Sequence, residues 1–109
     1  MRRYTARRAG ARWREQAPEY VLDCFDSKNA GERYTVMFTS EGGPDFSETW
    51  IPFLGMSGAP THPQGVSMWG ELKAYEAAQY RYRVKHQRVR WLDLPEHIRR
   101  HVVARYTQV

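Results

Sequence analysis

Hydrophobic and polar positions alternate along two stretches in the first half of the chain. Residues 19–26 (EYVLDCFD) alternate with a period of two, and residues 33–39 (RYTVMFT) are rich in β-branched and aromatic side chains. Between them, residues 27–31 (SKNAG) have the composition of a turn. The pattern predicts a β-hairpin.

A third apolar run follows an acidic, turn-rich loop at residues 40–49. Residues 50–56 (WIPFLGM) predict a strand, and because Pro52 cannot donate a ladder hydrogen bond, this strand is expected at a sheet edge or with a bulge. Residues 57–65 (SGAPTHPQG) predict an irregular loop. Residues 71–79 (ELKAYEAAQ) fit either a short helix or an extended connection.

Residues 80–91 return to an alternating pattern. Tyr82, Val84, Val89 and Trp91 fall between arginines, which predicts a half-buried strand with a bulge or turn near His86 and a row of cations on its solvent face.

The last segment predicts an amphipathic helix. Asp93, placed before Pro95 and three residues before Glu96, has the features of a helix N-cap, so a helix is expected over 94–106. Its apolar positions recur every four residues. We therefore predict an α+β domain: a small antiparallel sheet of three or four strands with a C-terminal amphipathic helix packed on one face, the other face being partly solvated.

Charge divides the chain into three blocks. Residues 1–14 hold six arginines and no acid, residues 15–71 hold two basic and nine acidic residues, and residues 72–109 hold nine basic and three acidic residues. A chain of 109 residues fits one domain. We expect a basic flexible arm at 1–14 and a single α+β domain at 15–109.

The basic blocks favour a ligand that carries negative charge. Cations neutralise phosphates, and neighbouring aromatic rings stack on bases, so we expect contacts with DNA or RNA that have little sequence specificity. The candidate contact residues are Arg2, Arg3, Arg7, Arg8, Arg12, Arg14, Arg81, Arg83, Lys85, Arg88, Arg90, Arg99, Arg100 and Arg105. Alternatively, the arm only keeps the chain in solution, and the strand cations only protect a sheet edge from pairing.

A second hypothesis is a modulator that binds a host protein. It would use the acidic hairpin and the 40–49 loop, with Trp50, His62, Gln64 and Trp69 as anchors, although Trp69 could equally cover the core. A third arrangement is an oligomer in which basic ends meet acidic middle blocks.

Catalytic and metal chemistry find little support in the sequence. Cys24 is the single cysteine, and His97 and His101 have zinc-ligand spacing without the glutamate of a metalloprotease motif. There is no G-x-S-x-G motif and no Walker loop. We expect a non-enzymatic protein without a cofactor or metal. With no long apolar run, we also expect no membrane contact and a cytoplasmic location.

Two stretches carry a resemblance. IPFLGMSGAPTHPQGVSMWGE (51–71) and RVRWLDLPEHIRRHVV (88–103), together roughly a third of the chain, resemble small uncharacterised proteins of bacteriophages and prophages of high-GC bacteria. The resemblance implies expression in the cytoplasm of a host cell. It also implies a protein that binds host machinery or nucleic acid rather than an enzyme.

Overall fold

Four strands form one antiparallel sheet in the order in which they occur along the chain. The computed structural model describes residues 16–29, 31–39 and 50–108. The strands are β1 (Val21–Asp26), β2 (Tyr34–Phe38), β3 (Trp50–Met56) and β4 (Ser67–Lys73), and the sheet order is β1-β2-β3-β4. Two helices complete the fold, α1 (Ala74–Arg83) and α2 (Glu96–Thr107). The predicted α+β class, with its antiparallel sheet and C-terminal helix, is confirmed.

The β1–β2 hairpin is confirmed as predicted. Ser27 N donates to Arg33 O across the turn (2.9 Å), and Lys28 and Gly31 have φ angles of 62° and 82°. Glycine takes such left-handed angles without a steric penalty. Arg33 Nε also donates to Asp26 Oδ1 at the end of β1 (2.8 Å), and this hydrogen bond lowers the pKa of Asp26.

The sheet edge or bulge predicted for β3 is wrong, because this strand lies inside the sheet between β2 and β4 and pairs with both without a register shift. Pairing with β2 reaches only as far as Met37 and Phe53, while pairing with β4 covers all seven residues. Pro52 comes one residue before Phe53, beyond the last β2–β3 pair. Its missing N–H therefore interrupts none of the β2–β3 pairs, and an internal strand tolerates the proline.

The strand predicted over 80–91 is also wrong. Its first four residues belong to α1, and a 3-10 turn (Lys85–Gln87) and a single bridge between Phe25 and Arg88 follow. Ala77 is buried, with Tyr80 and Val84 packed beside it, which is the i, i+3, i+7 spacing of one helix face. The fourth strand is instead β4, immediately before α1.

Helix α2 begins later than its predicted N-cap. Leu94 and Pro95 are extended, with ψ angles of 141° and 150°. A residue before proline is disfavoured in the helical region, so the helix begins at Glu96. Asp93 lies in a separate 3-10 turn (Trp91–Asp93), where its carboxylate accepts from Arg90 N (3.0 Å).

The core lies on both sides of the sheet. Neighbouring β2 residues point to opposite faces, so Val36 packs in the cluster that contains Ile98 and Val102 of α2, whereas Met37 packs with Ala77 of α1. Helix α1 therefore packs on the face expected to be partly solvated, and several apolar strand residues of that face remain half-buried. The two sides of the sheet are called the α2 side and the α1 side below.

A β-bulge in β1 decides which side Asp23 occupies. The register pairs Val21 with Phe38 and Asp23 with Met37, so two β1 residues, Leu22 and Asp23, lie opposite one β2 residue. Because Met37 belongs to the α1 side, the bulge places Asp23 there, under helix α1.

Candidate nucleic-acid interface

A fully buried carboxylate anchors two of the candidate arginines. Asp23 has no solvent exposure. Its Oδ2 accepts from Arg81 Nε on α1 (3.0 Å), and Arg88 Nε lies 3.0 Å from both carboxylate oxygens. Buried charge is tolerated only when it is paired and hydrogen-bonded, and here two guanidinium groups and Cys24 N (3.1 Å) provide that pairing.

The Asp23 pairing leaves both arginines partly in solvent. The side chains of Arg81 and Arg88 are 30% and 23% exposed. The Arg88 segment also lies along the outer edge of β1, where Val89 N donates to Cys24 O (3.0 Å). The buried carboxylate thus fixes the end of α1 and the segment after it to the sheet, with part of each guanidinium at the surface.

The outer face of α1 displays two tyrosines and ends in cations. Tyr75 and Tyr82 are 53% and 72% exposed, and their spacing of seven residues places them on one face of the helix. Exposed Arg83, Lys85 and His86 follow at the C-terminal end of the helix. These five residues are called the tyrosine–cation surface.

Two cation–ring contacts organise this surface. Lys85 Nζ lies 4.2 Å from the centroid of the Tyr82 ring, and Arg83 Cζ lies 5.4 Å from that of Tyr80. Tyr80 itself meets Phe25 edge to face, with ring centroids 5.6 Å apart. Since Phe25 is a buried residue of β1, the ring beneath Arg83 is held by the core.

Arg90 differs from Arg83 and Lys85, because it carries an acidic partner at the surface. Its Nη2 donates to Asp93 Oδ1 (3.0 Å), with 57% and 41% of the two side chains exposed. The hydrogen bond from Arg90 lowers the pKa of Asp93. Exposed pairs of this kind are worth little energetically, so Asp93 mainly reduces the positive charge at this point.

The arginines of α2 lie on the other side of the sheet. Arg99 Nε donates to Leu94 O (3.1 Å), and Arg100 pairs with Glu96 one turn away (3.0 Å). Arg105 Nη1 donates to Ser67 Oγ (2.9 Å). The structure therefore does not bring these three arginines together with the tyrosine–cation surface. Arg2, Arg3, Arg7, Arg8, Arg12 and Arg14 lie outside the described residues.

The two histidines of α2 connect this helix to β4 and the loop before it. His97 Nε2 donates to Gly58 O (2.7 Å), and His101 Nε2 lies 2.7 Å from Ser67 Oγ. Burial, and then the nearby charge of Arg105, lower the pKa of His101. Because Arg105 already donates to the Ser67 oxygen, a neutral imidazole that accepts the hydroxyl proton fits this geometry.

The four anchors of the protein-binding hypothesis do not form one patch. His62 and Gln64 are exposed in the loop that joins β3 to β4, whereas Trp50 lies at the opposite end of that hairpin, paired with Lys73. Six residues of strand separate the two ends by about 20 Å. Trp69 is half-buried, with its ring centroid 5.3 Å from that of Phe38. It serves the core on the α2 side.

An open groove lies beside Trp69. Pro52, Trp69, Gly70, Glu71 and Tyr106 line it, and its volume is about 740 Å³. Trp50, two residues before Pro52 at the start of β3, is 47% exposed. Of the surface expected in the protein-binding hypothesis, this groove and the exposed Trp50 remain as candidates for an aromatic contact with a protein.

Comparison with known proteins gives no relative. No protein-family model matches the chain, and no curated protein or solved structure matches it. In the part of the chain that the structure describes, no group of three or more His, Cys, Asp or Glu side chains could hold a metal ion. None of the helices described is long and apolar enough to cross a membrane.

Sequence reasoning missed Asp23, Tyr75 and Tyr82 as members of the site. The spacing of the two tyrosines was visible, but it becomes meaningful only once the segment is read as a helix. Asp23 gave no such indication, because its partners lie 58 and 65 residues further along the chain.

Proposed function

We propose that the protein binds nucleic acid, with the tyrosine–cation surface as the main contact and with little sequence specificity. The observation that carries the proposal is the run from Arg81 to Arg90, which has five Lys or Arg residues, one histidine and no acid. Arg83 and Lys85 are exposed within it, and Arg81 and Arg88 are held beside them by Asp23.

Electrostatics explains why such a surface suits a phosphate backbone. Each phosphate that a protein cation neutralises releases a condensed counterion, so the affinity depends steeply on salt. Asp23 removes the cost of ordering two of the arginines when a ligand arrives, because their guanidinium groups are already positioned. The six arginines of residues 1–14 supply further charge in this proposal, whereas Arg99, Arg100 and Arg105 lie across the sheet and are not part of the main contact.

The test compares two neutralising variants of the full chain. Lys85→Gln removes an exposed cation from the tyrosine–cation surface, and Arg100→Gln removes one from α2, so the net charge changes equally. Affinity for a fluorescently labelled oligonucleotide is measured by anisotropy at several salt concentrations. We expect Lys85→Gln to lower the slope of log K against log salt by about 0.7–0.9, the contribution of one phosphate contact.

The control separates a local contact from general attraction. Arg100→Gln should leave that slope within about 0.3 of the parent value if α1 carries the main contact. Equal losses in both variants would show that only net charge matters, which contradicts the proposed surface.

A second candidate function is a contact with a host protein through the groove at Trp69 and the exposed Trp50. The aromatic lining favours it, because tryptophan and tyrosine dominate binding energy at protein interfaces. Under this proposal Trp50→Ala abolishes function while Lys85→Gln does not. The resemblance to phage and prophage proteins supports either binding role, in the cytoplasm of a host cell.

A further inference from the structure

We infer that the ligand of the tyrosine–cation surface is an unpaired nucleic-acid strand whose bases stack on Tyr82 and Tyr75. This inference rests on the proposed function and names the form of nucleic acid that the surface takes. It is carried by the two tyrosines, which the phosphate contacts do not require.

Tyr82 is the most exposed large hydrophobic residue in the part of the chain that the structure describes. Its side chain is 72% exposed even though Lys85 Nζ lies 4.2 Å from the ring centroid. The Lys85 ammonium group thus lies close to the Tyr82 ring but leaves most of the ring accessible to solvent. An aromatic ring beside a cation provides both parts of a single-strand site, a platform for a base and a charge for its phosphate.

Tyr75 extends the platform along the same helix face. Seven residues of helix separate the two tyrosines by about 10.5 Å, roughly three times the rise between stacked bases. Ala78 and Gln79 lie between them and are exposed, and neither side chain carries charge. A strand that runs along α1 can therefore place a base on each ring, with Arg83 and Lys85 at one end for its phosphates.

Duplex nucleic acid cannot use these rings in this way. Its base faces are covered by the neighbouring bases, and a protein reaches only base edges, sugars and phosphates. The cations alone would serve a duplex. Two exposed tyrosines with a cation beside them favour a strand whose bases are free to stack.

The experiment uses the full chain and three labelled probes of equal length, namely oligo-dT, oligo-rU and a mixed-sequence duplex. Tyr82→Leu removes the ring but retains an apolar side chain, and Tyr82→Phe retains the ring. We expect Tyr82→Leu to lower affinity for the single strands about 5- to 100-fold, the effect of losing one base–aromatic stack. Tyr82→Phe should bind within about twofold of the parent chain, since it keeps the stacking face.

Two further comparisons separate stacking from charge. The salt slope should be unchanged in Tyr82→Leu because no cation is removed, and its affinity for the duplex should also be unchanged. Val103→Ala is the control, an exposed apolar residue of α2 that lies on the other side of the sheet from the tyrosine–cation surface, and we expect it to bind as the parent chain does.

The possible results distinguish a failure of the proposed function from a failure of the single-strand inference. If no probe binds at low salt, the proposed function fails and this inference fails with it. If the probes bind and Lys85→Gln weakens binding while Tyr82→Leu and Tyr75→Leu do not, only the inference is overturned. Tighter binding of the duplex than of both single strands also overturns it. A tyrosine effect with oligo-dT alone, or with oligo-rU alone, supports stacking and identifies which of the two strands is preferred.

Discussion

Replacing the buried carboxylate of Asp23 by an amide should loosen the attachment of α1 to the sheet. Asp23→Asn keeps the shape of the side chain but removes the charge that Arg81 and Arg88 share. The amide oxygen can still accept hydrogen bonds through its two lone pairs, whereas the NH₂ group would be placed against a guanidinium group that has only donors. The substitution therefore leaves Arg81 and Arg88 without a negative charge beside them and with one acceptor oxygen in place of two.

The magnitude follows from the burial on the two sides of the pair. Removing one partner of a fully buried ion pair costs about 3–5 kcal/mol. Asp23 is fully buried, but the arginine side chains are 30% and 23% exposed and can turn toward water. We therefore expect a smaller loss, about 2–3 kcal/mol in the free energy of unfolding. Asp23→Ala should cost more, because Cys24 N also loses its acceptor.

Urea unfolding followed by far-ultraviolet circular dichroism measures this loss. With a slope of about 1–1.5 kcal/mol per molar urea, the expected midpoint shift is about 1.5–3 M. The matched control is Asp93→Asn, which removes a carboxylate paired with Arg90 at 57% and 41% exposure. That pair is worth at most about 1 kcal/mol.

The urea midpoints of the two variants show whether burial makes the Asp23 pairing important for stability. A midpoint for Asp23→Asn no lower than that of Asp93→Asn would refute the argument that burial gives the Asp23 pairing its importance. Replacing Arg81 and Arg88 by methionine in both variants tests whether the unpaired cations cause the loss. If the urea midpoint of Asp23→Asn still lies below that of Asp93→Asn, the cations are not the cause, because the loss then comes from the amide itself.

Two further predictions concern the other parts of the fold. A Cβ at Gly70 would overlap the ring of Phe53, so Gly70→Ala should displace that ring and cost about 1–3 kcal/mol, whereas Gly58→Ala, with no atom within 4 Å, should unfold at the parent midpoint in urea. The pKa of His101 is lowered in the folded chain, so the unfolded chain binds the proton first as pH falls below about 6.5, and stability should fall from that pH downward. In His101→Gln this part of the pH dependence should be absent from thermal unfolding between about pH 7 and pH 5, and an unchanged profile would contradict it.

The fold class followed from the sequence because local patterns dominated β1, β2 and α2. The turn residues between Asp26 and Arg33, and the four-residue repeat of Ile98 and Val102, act over short distances. The failure over 80–91 has a physical cause. Tyr80, Tyr82 and Val84 satisfy a period of two, whereas Ala77, Tyr80 and Val84 satisfy a helical period, and a short window does not separate them.

Strand β4 was missed for a related reason. Gly70 lowers strand propensity, and the segment alternates weakly. What stabilises it is the ring of Phe53, which lies over Gly70 on the paired strand. That contact depends on the sheet register.

The cations of the candidate site were predicted, but its tyrosines, its buried carboxylate and its geometry were not. The cations at 81–90 were identified from charge alone, yet Arg81 and Arg88 proved to face a buried carboxylate, and Arg99, Arg100 and Arg105 lie across the sheet from them. A bulge in β1 and a helix in place of a strand produce this arrangement. Both are set by tertiary packing, which charge patterning does not report.

Binding by the tyrosine–cation surface is tested by an anisotropy titration of labelled oligo-dT and oligo-rU with the full chain and with Arg83→Gln/Lys85→Gln, each at several salt concentrations. We expect micromolar or tighter binding of at least one strand that weakens steeply with salt, and a slope lower by about 1.4 in the double variant, the share of two phosphate contacts on a single strand. Absence of binding at low salt, or a double variant with the slope of the parent chain, would contradict binding by this surface.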